Sequence, residues 1–282
     1  TEELCGRSFS KSTVSALCAA LDPIVIAFRD RQLEKRYPFV MADALYTRVR
    51  ENGRIRSKGF MVAVGINEQG FREILGFSCA DSETEAGWTT FFRELKGRGL
   101  SQVDMVISDS HKGLVKAVKQ CFQGAAWQRC QTHFSRNMLD VCPKKLHPEM
   151  KAALKSLYEA GDYETAVLLR DNILLRFQQE APKAAALLEE SFEDVMAVLA
   201  LPFAMRRRLR TTNGIERLNE EIRRRERVIR IFPNEESLSR LIGALLMEIN
   251  DGWQSGKVYL DLTAYLTQQL QVDKPTAKKS VA

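Results

Sequence analysis

Apolar positions recur at helical spacing across residues 8–34, as far as Phe28. The run Ser8-Phe9-Ser10-Lys11-Ser12-Thr13-Val14-Ser15 offers several N-cap side chains, so the segment reads as helix. From Tyr37 the period shortens to that of strands. Residues 39–46 form one predicted strand, and Glu51-Asn52-Gly53-Arg54 beyond it is a strong hairpin turn. Residues 60–66 and 71–78, separated by Asn67-Glu68-Gln69-Gly70, give two more strands, and the three should form an antiparallel meander. Helical spacing returns at 84–97, with Trp88, Phe91, Phe92 and Leu95 on one stripe and Gly97 and Gly99 to end it. A short strand at 103–107, a helix at 111–122 and a last strand at 125–129 follow. Beyond Cys130 the strands stop. Residues 133–250 are helix-forming, with breaks at Pro143, Gly161, Pro182, Pro202 and Pro233, and the tail after Tyr265 reads as frayed. Trp88 and Trp127 both sit in apolar periodic segments, which favours core packing over base stacking.

Three antiparallel strands followed by helix, strand, helix, strand is the order of a ribonuclease H-like α/β fold. Composition agrees with a globular chain: 282 residues, 45% of them hydrophobic. No apolar run approaches the roughly 20 residues that cross a bilayer, and no membrane partner is expected. The start, Thr1-Glu2-Glu3-Leu4, has neither the basic nor the apolar region of a signal peptide, and without an initiator Met it reads as trimmed from something longer. Six cysteines without a Cys-x-x-Cys pair point to reduced thiols and a cytoplasmic, nucleoid-associated location. The net charge of +6 decides little, but its distribution matters. Residues 206–230 hold ten arginines against four glutamates. Such a cluster suits phosphate oxygens, although a solvated face with Glu–Arg pairs one helical turn apart would have the same composition.

Three carboxylates stand out. Asp43 lies inside an apolar strand, where a carboxylate needs a partner, a shifted pKa or a metal ion. Asp109 follows a short buried strand, and it could equally cap the next helix. Glu216, three residues after Asn213, also fits a capping box. Together the three match phosphodiester chemistry, in which two divalent ions about 3.5–4 Å apart clamp the attacking and leaving oxygens. Magnesium accepts hard oxygen ligands and keeps several waters, so two or three carboxylates suffice to hold it.

Four blocks carry a family resemblance. Met41-Ala42-Asp43-Ala44-Leu45-Tyr46, Ile107-Ser108-Asp109-Ser110-His111-Lys112-Gly113-Leu114, Trp127-Gln128-Arg129-Cys130-Gln131-Thr132-His133-Phe134-Ser135-Arg136-Asn137 and Thr212-Asn213-Gly214-Ile215-Glu216-Arg217-Leu218-Asn219 resemble, in order and spacing, the motifs of bacterial Mutator-type insertion-sequence transposases. The resemblance spans about residues 37–262. It implies a ribonuclease H-like core interrupted by an all-helical insertion, with Asp43, Asp109 and Glu216 as a DDE-class triad. It further implies two Mg²⁺ ions (Mn²⁺ as substitute), DNA terminal inverted repeats and target DNA as partners, and a homodimer. The implied division is 1–36, the end of a DNA-binding region and linker; 37–137 and 212–256, the two parts of the core; 138–211, the insertion; and 257–282, a tail. Ser110 and Gly214 depart from the commoner family residues. At the front, Phe9-Ser10-Lys11-Ser12-Thr13-Val14-Ser15 resembles the last helix of a helix-turn-helix unit.

The resemblance makes Cys130 and His133 a signature pair that supports the active site. Zinc bound by Cys130, His133, Cys142 and His147 fits no common finger spacing, and a plain core cysteine beside a helix-start histidine is the blander reading. Lys112, Arg136, Asn137, Arg217, Asn219, Arg223, Arg224 and Arg225 are the candidate DNA contacts. The implied activity is metal-dependent cleavage that leaves 3′-hydroxyls, followed by strand transfer. Rival readings are a structure-selective nuclease on the same fold and a non-catalytic DNA-binding relative.

Overall fold

The computed structural model describes residues 10–272. One five-stranded mixed sheet organises them, in the order β3-β2-β1-β4-β5. Strands β1 (Phe39–Glu51), β2 (Arg54–Ile66) and β3 (Arg72–Ala80) pair antiparallel, as the meander reading expected. Then come α3 (Glu85–Gly97), β4 (Met105–Ser108), α4 (Lys112–Cys121) and β5 (Ala126–Arg129). Strand β4 lies parallel to β1, and β5 parallel to β4.

Side chains of a strand alternate between faces, so each strand contributes to two cores. Val40, Ala42, Met61, Ala63 and Val106 point into one, with Trp88, Phe92 and Leu95 of α3 and Leu114 and Val118 of α4. Trp88 is fully buried there, in keeping with its reading as core. Phe39, Met41, Leu45, Val62, Val64 and Ile107 point to the other face, covered by α10 (Asn213–Ile229) and α11 (Glu235–Gln254). Between β5 and α10 the chain is helical: α5 (Gln131–Val141), α6 (His147–Tyr158), α7 (Tyr163–Phe177), α8 (Pro182–Met196) and the short α9 (Phe203–Leu209). The first four enclose a third core around Phe134, Met138, Leu154, Leu188 and Phe192.

Several boundaries differ from expectation. The single N-terminal helix is two, α1 (Lys11–Ala19) and α2 (Asp22–Asp30), because the chain breaks at Leu21 ahead of Asp22-Pro23. Ser10 caps α1 by accepting from the Thr13 N–H at 3.0 Å, while Ser8 and Phe9 lie outside the described residues. By length and composition alone the stretch Lys11–Asp30 reaches that of a membrane span, but it is broken into two helices at Leu21 and is not a clear span. Strands β1 and β2 extend well past 46 and before 60 to the Asn52-Gly53 turn, where both residues have positive φ. The distant Phe232 docks beside the polar end of β1: Arg50 N–H donates to Phe232 O, and Phe232 N–H to Arg48 O, each at 2.8 Å. The expected fraying does not begin at Tyr265: α12 (Thr263–Val272) continues past it and Tyr265 packs on Phe39, while residues 273–282 lie outside the described residues.

Gly113 sets the approach of α4 to the segment that precedes α3. A Cβ there would sit 2.7 Å from Glu85 N and 2.9 Å from Thr84 C, both backbone atoms with little freedom to give way. Gly113→Ala should therefore destabilise the protein by about 1–3 kcal/mol, the usual cost of overpacking, despite a helix-propensity gain of up to about 1 kcal/mol. Urea unfolding checks this. A stabilised variant would show that α4 can retreat freely.

Candidate active site

Met41 and Ile107 face each other in the parallel β1–β4 pair, and both point into the α10 core. Two residues further along each strand, the same alternation sends Asp43 and Asp109 toward that face. Helix α10 packs there through Ile215, Leu218 and Ile222, which aims Glu216 and Asn219, one turn apart, at the strand ends. Asn219 makes the link explicit: its Nδ2–H donates to Asp43 Oδ2 at 2.9 Å. The other Asp43 oxygen accepts from the Ala44 N–H at 2.9 Å. Asp109 Oδ1 accepts from the His111 N–H at 3.0 Å, so it turns the chain into α4 while leaving its second oxygen unbonded.

The capping-box reading of Glu216 does not hold. The N-cap of α10 is Thr212 and Glu216 stands four residues beyond it, while Asn213 Oδ1 accepts a 3.3 Å bond from Thr132. Glu216 Oε1 is instead buried without a hydrogen-bond donor. It lies 3.9 Å from His133 Nε2, and a ligand atom from each of Cys130, His133 and Glu216 falls within 4.8 Å of the others. Thr212 donates to the Cys130 sulfur from both N–H (3.4 Å) and Oγ1 (3.3 Å). Neither Cys142 nor His147 joins this group, so the four-ligand zinc arrangement is not formed. His147 Nε2 instead pairs with Cys142 O at 3.0 Å.

Charge accumulates here without a Lys or Arg ion pair to Asp43, Asp109 or Glu216 among the described residues. Burial, and then the charge of Asp109, push the Asp43 carboxyl up to about 7. The Cys130 sulfur is the strongest influence on His133 and, with Asp43 and Asp109, raises the imidazole to about 9 against the effect of burial. Burial works against a Cys130 thiolate, but the His133 ring and the Thr212 donors outweigh it and hold the thiol below its ordinary value. Sequence reasoning missed a fourth carboxylate, Glu83. Burial raises its pKa, with His111 opposing and Asp109 adding, and His111 Nδ1 lies 3.7 Å from it. Nothing in the acidic run 81–86 marks Glu83, since only the packing of α4 against that segment turns it inward. A second acidic group, Glu51, Asp81 and Glu235, surrounds the buried Lys58 ammonium.

The family model for transposases of the Mutator family matches residues 1–256. The chain belongs to that family. Its relatives include the transposase for insertion sequence element IS256 in transposon Tn4001 of Staphylococcus aureus, 45% identical over 92% of this chain and 67% of the relative. The transposases for ISRM5 of Rhizobium meliloti (41% identical, 93% of this chain, 66% of the relative) and IS1081 of Mycobacterium tuberculosis (42%, 93% and 63%) are similar as well. This Mutator-family chain thus spans about two thirds of the length of the curated relatives it matches. A solved structure of the HTLV-2 integrase catalytic core domain in complex with magnesium is 14% identical over 45% of this chain and 88% of that one. Its TM-score of 0.24 is too slight a likeness to build on.

The candidate DNA contacts of this transposase-family chain separate into groups. Asn219 is bonded to Asp43, and Asn137 Oδ1 accepts from Arg129 at 3.2 Å, so each has a partner within the protein. Arg224 and Arg225 share Glu221 at 2.7 and 3.2 Å, the paired solvated face that the arginine cluster allowed as its blander reading. Lys112, Arg136, Arg217 and Arg223 are exposed and form no ion pair among the described residues.

The raised Asp43 has a thermodynamic consequence. An unfolded Asp titrates near about 3.9, so between that value and about 7 the folded state holds the extra proton. Stability of the metal-free protein therefore falls as pH rises through this window. Asp43→Asn removes the effect and should make the metal-free protein more stable than the parent at pH 8 by about 1–3 kcal/mol, the gain vanishing toward pH 4. Urea unfolding in EDTA at the two pH values checks the sign; a variant less stable at pH 8 contradicts it.

Proposed function

We propose that the chain is the catalytic portion of a DDE transposase on a ribonuclease H-like core, cutting DNA at element ends and joining the freed ends to target DNA. The observation that supports this most is that Asp43 and Asp109 leave neighbouring parallel strands near enough to raise the His133 imidazole together, while His133 lies 3.9 Å from a buried, unbonded Glu216 oxygen on a distant helix. The donor set fits the implied metal: three carboxylates with no Lys or Arg ion pair among the described residues present hard oxygens, as Mg²⁺ or Mn²⁺ requires. When bound, two such ions would stabilise charge on the attacking and leaving oxygens of the phosphodiester.

The protein's own contribution is orientation. Ala44 N–H and Asn219 fix both oxygens of Asp43, and His111 N–H fixes one of Asp109. Cys130, held by Thr212, maintains His133 as a protonated ring beside Glu216, where it keeps that carboxylate turned inward and offers a proton donor at the edge of the site. In the proposed reaction water cleaves a phosphodiester to leave a 3′-hydroxyl. That hydroxyl then attacks a phosphodiester of the target, one P–O bond replacing another without a covalent enzyme–DNA intermediate. Residues 138–211 are read as an insertion into the core, and Gln131 of the core's first part ties down its end just ahead of α10, its N–H donating to Arg210 O at 3.0 Å. A homodimer holding two ends together belongs to the same reading.

Glu216→Gln separates this account from a structural role. Because Glu216 caps nothing, the variant should melt at the parental temperature or slightly above in EDTA. DNA nicking in Mg²⁺ should fall by about a hundredfold or more, the scale of removing one preorganised electrostatic interaction. A folded Glu216→Gln that nicks at the parental rate overturns the triad. Nicking by the parent without joined products favours the nuclease reading instead.

A further inference from the structure

Four arginines converge on a cavity of about 390 Å³ beside α10: Arg72 at the start of β3, Arg207 and Arg208 of α9, and Arg217 of α10. They come from three separate parts of the chain, so their meeting is a product of the fold. Among the described residues none of the four makes an ion pair or a side-chain hydrogen bond, and Arg72 Nε is buried without an acceptor. Neighbouring arginines behave otherwise. Arg206 donates to the carbonyls of Leu201, Gly161 and Leu199, Arg210 to that of Tyr158, and Arg224 and Arg225 to Glu221.

Arg72 is built into its place. Its guanidinium lies 4.1 Å from the centre of the Trp253 ring and 4.4 Å from that of Tyr259, while the Arg208 guanidinium lies 5.0 Å from the same Tyr259 ring. Aromatic faces hold a guanidinium in a fixed plane at little entropic cost, but they do not neutralise it. Asn213 and Gly214, the first residues of a seventeen-residue helix, complete the wall and add the positive end of its dipole. The cavity therefore concentrates positive charge with nothing among the described residues to balance it.

We propose that this cavity seats one backbone phosphate of the DNA strand, gripped by Arg72, Arg207, Arg208 and Arg217, at a position separate from the carboxylates. The proposal rests on DNA as substrate, the reading given above, and adds where the strand is held. A phosphate suits the seat because its tetrahedral oxygens can each accept from a guanidinium fork. A second cavity continues the path. It shares Arg207, Thr211 and Asn213 with the first and reaches Thr132 and Arg210, so the groove leads to the residue next to His133. Successive residues of a helix project about 100° apart, since 3.6 complete a turn. Glu216 and Arg217 therefore serve the reacting site and the strand's anchorage from adjacent faces of α10.

The test is binding of a 20-base-pair duplex in EDTA, at several salt concentrations, by the parent, Arg208→Gln/Arg217→Gln, and a charge-matched control, Lys151→Gln/Lys183→Gln. All four positions are exposed, so the variants should fold. The pocket variant should bind the duplex about tenfold or more weakly at 0.1 M salt, with the salt slope reduced by about 0.9 for each phosphate that is no longer neutralised. The control should stay within about twofold, taking surface charge as a weak, screened contribution. Inorganic phosphate should compete only weakly, because it lacks the rest of the strand. Tight competition by phosphate alone would reassign the seat to a free phosphate compound. A parent that binds DNA while the pocket variant keeps its affinity and slope sinks the seat but spares the function. A parent that binds no DNA sinks both. Glu216→Gln should bind as the parent does in EDTA, which separates the anchor from the carboxylates.

Discussion

The parallel pairing of β1 with β4 is the constraint on which the rest of the site depends. Met41 opposite Ile107 fixes a register in which Asp43 and Asp109, each two residues on, leave neighbouring strands on one face. A slip of one residue would send Asp43 to the opposite face, among Trp88 and Phe92 of the α3 core, where a carboxylate has no compensation. The apolar neighbours hold the register: Phe39, Met41 and Ile107 are fully buried on the α10 side, and Val40, Ala42 and Val106 on the other. Fold stability and site geometry are thus specified by the same alternating residues.

The third carboxylate depends on packing rather than pairing. Helix α10 lies on the sheet through Ile215, Leu218 and Ile222, and this packing decides which way Glu216 points. The site then contrasts with the cluster at Lys58. There three carboxylates surround one buried ammonium, with Arg56 on Glu51 beside it, so part of their charge is offset within the protein. At Asp43, Asp109 and Glu216 only a histidine stands nearby, and the Asp43 carboxyl is raised because burial and Asp109 both disfavour its charge. One acidic cluster is gathered around a Lys ammonium; the other has no Lys or Arg ion pair among the described residues.

Much of this was legible in the sequence. Alternation at 39–46 and 60–66, the Asn52-Gly53 turn and the short apolar runs at β4 and β5 record local rules, and the strands follow them. Asp43 was conspicuous because a charge interrupted an apolar strand, and the four motif blocks placed Asp109 and Glu216 with it. What stayed hidden depends on packing between distant segments. Phe232 docks on the polar end of β1, α4 packs closely at Gly113 against the segment holding Glu83, and Arg72 meets Arg208 and Arg217 only once β3, α9 and α10 are assembled. The run 223–225 drew attention by density, yet two of its three arginines share Glu221, whereas the group without ion pairs is gathered from distant segments between Arg72 and Arg217.

The central claim is that the three carboxylates hold divalent cations, and diffraction at the manganese edge from a crystal soaked in Mn²⁺ tests it most directly. The account predicts an anomalous peak bridging Asp43 and Asp109, with a Glu216 oxygen on that ion or on a second one beside it. Both signals should be lost in Asp43→Asn. A well-diffracting soaked crystal with no peak there, or with Mn²⁺ bound only at Glu51, Asp81 and Glu235, would contradict the account.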